Sequence, residues 1–361
     1  MHLPIQNQKQ RVVGSVFALQ EPEPFSQTNR DRPFLQQGVL YLASARGAFC
    51  LLARVMRPRR VWLPSYLCSS IVEGFQAADV AVEFFPVGKD LRCGSTAWLQ
   101  QIESGDMVLR IHYFGFPNID PVFQAATARG ACLVDDAAQA LLSAGVGNGA
   151  DFMVFSPRKF VGVPDGGCLA MHSTLSGFSA ELPPPPDGWW LKSLSALRLR
   201  RDFDRGDGNR NWFTTFQSAE NHAPASPFAM SELTKRLLMH GIDFDAVATR
   251  RRNNYQLLLE LLGDVAIFPE LPEGVVPLGF PIRVRQRDAI LKTLFQQNIY
   301  PPVHWSLCRC VPALFDASHR LSTEIMTLPC DQRYDADDMR RIAVALREAS
   351  LLHGWSTTTP T

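Results

Sequence analysis

Lysine is scarce in this sequence: six residues stand against thirty arginines, and the net charge is only +1. A balance so near neutrality gives no electrostatic footprint for nucleic acid or a polyanionic surface. No apolar run approaches the roughly 20 residues that a membrane-spanning helix needs. The start, Met1 to Arg11, is too polar for a secretory signal. A cytoplasmic, non-membrane protein is therefore expected. Cysteine is also sparse, with eight residues at 50, 68, 93, 132, 168, 308, 310 and 330. Without a signal they are expected as reduced packing thiols rather than a disulfide framework. Cys308 and Cys310 form a Cys-x-Cys near His304, but no second pair follows at zinc spacing, so no metal is expected. What remains is ordinary globular composition, 46% hydrophobic and 20% charged. At 361 residues the chain is long enough for two domains.

The first 35 residues are polar and carry Pro22, Pro24 and Pro33, so they read as an arm. Beyond Val39 apolar runs at 61–64, 80–87, 107–113, 131–134, 152–155 and 168–171 read as strands. Helical patterns at 47–56, 68–77, 95–102, 121–129 and 137–143 lie between them. Such alternation predicts a largely parallel sheet with helices on both faces. The stretch 181–227 holds four consecutive prolines, Trp189-Trp190 and a mixed-charge run, and reads as short helices covering a pocket or as a mobile surface insertion. A long helical pattern from Met230 to Leu262 is interrupted at Gly241, which allows two helices or one bent one. After Pro269 a strand at 275–284, a helix at 288–297, a short strand at 327–329 and a closing amphipathic helix at 335–350 suggest a smaller α+β unit. The boundary is placed near 245, giving a large domain over 1–245 and a small one over 246–361.

Lys159 is the conspicuous member of the scarce lysines. It lies in Phe-Met-Val-Phe-Ser-Pro-Arg-Lys-Phe-Val-Gly, between apolar runs, with Asp-Asp-Ala-Ala-Gln-Ala upstream at 135–140. Most lysines at strand ends extend an apolar stem and keep the ammonium in water. A lysine set among apolar residues is also a candidate for a Schiff base with an aldehyde cofactor. An upstream acid can then face a pyridine nitrogen, which points to pyridoxal 5'-phosphate (PLP).

Asp-Asp-Ala-Ala-Gln-Ala, followed by Phe-Ser-x-x-Lys (155–159) and Gly-Gly (166–167), resembles the DegT/DnrJ/StrS-type aminotransferases, over roughly residues 38–345. The resemblance implies an α/β fold of the fold-type-I, aspartate-aminotransferase-like class: a three-layer α/β/α large domain with a smaller α+β C-terminal domain. Lys159 would then carry the covalent aldimine and shuttle the proton, with pyridoxamine phosphate as the intermediate form of the cofactor. Asp136 would face the ring nitrogen, Asp135 matching the family's other acid. Gln139, three residues on, would approach the phenolic oxygen, and Tyr66 would stack on the ring. Ser156 would hold the phosphate together with the Ala45 and Arg46 N–H groups, which open the helical pattern at 47–56. Arg46 stands where many members have threonine, and Ser156 precedes the lysine by three residues instead of five. Asp136 also fits as a helix cap, and Tyr66 as a packing aromatic.

His112-Tyr113-Phe114-Gly115 matches a His-x-x-Gly of the pocket, and His304 and Trp305 lie where the family approaches substrate. A partner-subunit asparagine of many members has no counterpart before Met230; Ser226 and Asn221 are the candidates to replace it. The implied activity is transfer of an amino group from an amino acid, glutamate foremost, to a keto-sugar, nucleotide-linked, in a ping-pong cycle within a homodimer. The alternatives are a non-sugar ketone or aminocyclitol precursor as acceptor, or a protein of this fold that binds or regulates without turnover. Lys159 disfavours the dehydratase branch, which has histidine there.

Overall fold

The computed structural model describes residues 11–22, 32–171, 178, 181–307 and 310–354. The expected arm falls partly outside them, as does Cys308. Strand β1 (Val13–Gly14) opens the described chain, and β2 (Leu40–Leu42) leads through Ser44 into helix α1 (Ala45–Met56). Then follow β3 (Val61–Pro64), α2 (Ser69–Gln76), β4 (Val82–Phe85), β5 (Met107–Ile111), α3 (Val122–Thr127), β6 (Cys132–Asp136), β7 (Phe152–Phe155) and β8 (Gly167–Met171).

Seven of these strands form one sheet in the order β2-β8-β7-β6-β5-β3-β4. β4, β3, β5, β6 and β7 pair in parallel, whereas β8 runs antiparallel between β7 and β2. β3, β5 and β7 are buried along their whole length, as expected of parallel strands covered on both faces. Parallel pairing puts the carboxyl ends of β3, β5, β6 and β7 on one edge, where open α/β sheets gather ligand-binding loops. Lys159 and Asp136 reach that edge directly.

The pattern at 137–143 does not become a helix. Asp136 Oδ1 accepts from Ala138 N at 2.9 Å, and the chain then closes successive turns, Ala140 N to Ala137 O and Ser143 N to Ala140 O. Gly145, Gly147 and Gly149 follow at φ of +82°, +88° and +74°, left-handed positions that end any helix. The 95–102 pattern tightens to a 3-10 segment at Ala97–Gln101.

Residues 181–227 hold two substantial helices, α4 (Asp187–Asp204) and α5 (Asn211–Asn221), packed against each other. Gly241 ends α6 (Glu232–His240), and Asp243 caps α7 (Phe244–Leu262) through Asp245 N and Ala246 N, so the Met230–Leu262 pattern is two helices. The remaining elements are β9 (Phe280–Arg283), α8 (Arg287–Gln296), β10 (Ile299–Tyr300), α9 (Asp316–Glu324), β11 (Ile325–Leu328) and α10 (Ala336–Leu352). β9 and β11 pair antiparallel, and β10 pairs in parallel with the distant β1. Asp335 closes the α10 N-terminus in a capping box with Asp338.

Six of the cysteines are free thiols, but Cys310 is disulfide-bonded, against the expectation of reduced thiols throughout. Among the described residues no helix is long and apolar enough to cross a membrane, and no His/Cys/Asp/Glu cluster could hold a metal.

Candidate active site

A cavity of about 860 Å³ opens at the carboxyl edge of the sheet. Ala45, Arg46, Asp136, Ser156, Lys159 and His304 all line it. Ser44 sets the start of α1: its hydroxyl accepts from Gly47 N at 3.0 Å and leaves the Ala45 and Arg46 N–H groups at the open helix end. Gly167 makes this possible, since a Cβ there would lie 2.2 Å from the Ser44 carbonyl carbon. An open helix end beside Arg46 is a ready anion site.

Lys159 ends the one-turn 3-10 segment Pro157–Lys159 directly after β7. Its loop is held from two sides. Arg251 Nη2 and Gln332 Nε2 donate to Phe160 O at 3.2 and 2.7 Å. On the other side Gln20 N donates to Gly162 O at 2.7 Å, and a Cβ on Gly162 would collide with Ala18 O at 1.7 Å. Gly162 thus serves close backbone approach. Among the described residues Lys159 Nζ has no hydrogen-bond or ion-pair partner, and the Trp305 ring lies 5.9 Å away.

Asp136 ends β6 almost fully buried. Burial pushes its carboxyl up, opposed chiefly by the charge of Lys159. Asp135 points to a different partner set, away from the cavity. It takes a bidentate pair from Arg110 at 2.7 and 2.9 Å, lies 2.8 Å from His112 Nε2 and accepts from Gly147 N. His112, expected in the pocket, does not line the cavity; its Nδ1 accepts from Asn118 N at 2.9 Å. His304 sits at the cavity with Nδ1 2.8 Å from Thr327 Oγ1. Burial, then the charge of Lys159, lower it to about 3, so it is a neutral imidazole near pH 7.

Three expected site residues, Tyr66, Gln139 and Trp305, do not line the cavity. Tyr66 is wholly buried, its hydroxyl donating to His304 O and its ring 5.6 Å from Trp305, so the 304–305 segment covers it. Gln139 lies in a turn rather than on a helix; its Oε1 accepts from Phe114 N at 2.8 Å and its Nε2 is buried without a partner among the described residues. Trp305 approaches Lys159 without lining the cavity. Of the two candidates for a replacement anion ligand, Asn221 lines it and Ser226 does not.

Sequence reasoning missed other walls. Arg158 pairs with Glu220 of α5 across the cavity, and Arg46 Nη1 donates to Ala223 O at 2.7 Å. Burial alone would raise Glu220, but Arg158, Arg46 and Lys159 outweigh it and hold the carboxylate low. Ser193 and Leu197 of α4, and Phe213 and Phe216 of α5, complete that side. The Trp-Phe-x-x-Phe spacing at 212–216 was the available signal.

No protein-family model matches the chain, and no curated protein sequence matches it. Solved structures do. Spr1654 of Streptococcus pneumoniae, described as a sugar aminotransferase in its PLP form, superposes with a TM-score of 0.66 at 14% identity, covering 94% of this chain and 99% of that one. A DegT DnrJ EryC1 StrS aminotransferase from Brucella abortus gives 0.58 at 17%, covering 86% and 85%. DesI, solved in the presence of its TDP-sugar product, gives 0.64 at 18%, covering 88% and 81%. The chain has the fold-type-I aminotransferase fold. In this fold-type-I chain the cavity lies where the carboxyl ends of the parallel strands, α1 and the lysine loop converge.

Proposed function

We propose that the chain is a PLP-dependent aminotransferase of the DegT/DnrJ/StrS type, moving an amino group from an amino acid, glutamate foremost, to a keto-sugar. One observation carries this reading: an unpartnered lysine, a buried aspartate and an open helix N-terminus line a single cavity. The cavity's residues fit PLP. Asp136, whose charged form burial disfavours, is relieved by a pyridinium nitrogen. The Ala45 and Arg46 N–H groups, the Arg46 guanidinium and the Ser156 hydroxyl suit a phosphate.

When bound, PLP supplies an aldehyde for amines and an electron-poor ring that spreads negative charge. The chain supplies the rest. Lys159 anchors the aldehyde and, once released by substrate, carries a proton from and to the reacting carbon as a free amine. Asp136 keeps a proton on the ring nitrogen. His304, uncharged, offers hydrogen-bonding capacity without opposing the Lys159 charge. Donor product leaves before acceptor enters, so the two half-reactions share one cavity. The TDP-sugar product seen with DesI supports a nucleotide-linked acceptor. The family resemblance supports a homodimer.

Borohydride reduction of PLP-saturated protein should leave a pyridoxyl adduct on the peptide containing Lys159. Adding glutamate first should prevent it by converting the cofactor. Lys159→Ala should bind without an adduct. A wild-type protein that forms no adduct at Lys159 ends this reading.

A further inference from the structure

The helical pair α4–α5 forms one side of the cavity, and its chemistry differs from the rest. Phe213, Phe216 and Glu220 are spaced i, i+3, i+7 on α5, so they form one stripe. Ser193 and Leu197, i and i+4, form the facing stripe on α4. All five line the cavity.

Two features of this wall ask for a ligand. Ser193 is only 4% exposed, yet its hydroxyl has no hydrogen-bond partner among the described residues. A buried, unsatisfied hydroxyl is costly unless something else completes it. Phe213 is 43% exposed, and neither it nor Phe216 belongs to a hydrophobic core cluster of the described residues. Aromatic rings left at a cavity edge present negatively polarised faces, which suit the C–H groups on one face of a sugar ring. Charge narrows the choice. Among the described residues, α4 and α5 bring no Lys or Arg to the cavity, and the neighbouring Arg158 is paired with Glu220, so this wall offers no free cation to an acidic amino donor.

We propose that α4–α5 recognises the acceptor, with Phe213 and Phe216 against the C–H face of a neutral, hydroxylated hexose ring. Ser193 Oγ and Asn221 hydrogen-bond its hydroxyls. Glu220, paired with Arg158, the residue before Lys159, marks where the ring meets the reacting end of the cavity. The inference rests on reading the cavity as a sugar aminotransferase site, and adds which wall selects the sugar.

Calorimetric titration of PLP-saturated protein tests it with glucose 1-phosphate, UDP-glucose and TDP-glucose, and with UDP and TDP alone. At least one hexose compound should bind more tightly than its nucleotide. Phe216→Ala should weaken that hexose about 5–10-fold, and Ser193→Ala about 3–10-fold, with nucleotide binding unchanged. Phe216→Tyr should retain hexose binding. Three results overturn the proposal: no hexose compound binds wild type, the substitutions leave hexose binding unchanged, or they weaken the free nucleotides equally, which would assign the rings to a base. Adduct formation at Lys159, measured on the same samples, separates the two readings. An intact adduct with no hexose effect removes the wall alone, and a missing adduct with the hexose effects intact removes the cofactor reading alone.

Discussion

Asp135 and Asp136 are neighbours with opposite employment. Alternation along β6 sends successive side chains to opposite faces, so one aspartate meets the cavity while the other meets Arg110 and His112. Burial would raise Asp135, but His112 and Arg110 outweigh it and hold the carboxyl below its ordinary range. A depressed carboxylate stabilises the fold above its unfolded value of about 3.9, and that contribution is lost as pH falls through the lower folded value. Asp135→Asn should cost about 3–5 kcal/mol at neutral pH, because it strands the buried Arg110. It should also flatten the loss of stability below about pH 4 by close to one proton's worth, about 1.4 kcal/mol per pH unit. Denaturant titrations across that range check both; an unchanged acid slope would show that another group titrates. Lys159, Asp136, Ser156, Ala45 and Arg46 were legible as cavity residues because each ends or follows a strand or opens a helix. Tyr66 and Gln139, expected at the ring, lie off the cavity lining, because a local pattern marks the edge of the sheet but not depth beneath it. His304 covers one, and Phe114 N claims the other.

At the scale of elements, sequence periodicity located the sheet closely, since buried parallel strands are short apolar runs. It missed the antiparallel sense of β8, which depends on pairing and not on composition. It also underestimated α4–α5. α4 buries few apolar residues, and its Arg200 is buried beneath the Trp212 ring, 4.7 Å away, while bonding Asp204 and Gly14 O. Such a helix shows no clean apolar stripe. Its apolar attachment is correspondingly small, a cluster of Ala43, Trp189 and Ala219 with Trp190, Ala223 and Phe228 packed on it. Segments held by little apolar contact open at lower free energy than the core. Native-state hydrogen exchange should therefore release the amides of α4 and α5 well before those of β5 and β6. Equal protection would mean that the pair is fastened as firmly as the sheet.

Over the whole molecule, the first described residues are bound to the last. Arg11 pairs with Asp338 at 2.9 Å, Gly14 N donates to Tyr334 Oη at 2.6 Å, and β1 pairs with β10. Arg333 donates to Val16 O at 2.9 Å and stacks 4.0 Å over Phe17. Arg333→Ala should free this segment, so limited proteolysis should cut within 11–20 before the sheet is touched. Resistance of the variant equal to that of the wild type at those sites would count against the clamp. Gly14, Ser15, Val16 and Phe17 are themselves a rim of the cavity. That rim rests on partners more than 300 residues away along the chain. On the ribosome, the strands that carry Lys159 and Asp136 emerge and pair long before α10 does. The site is expected to wait as an open groove, its floor assembled and its rim unsupported, until Arg333 and Tyr334 arrive to hold Gly14 and Val16.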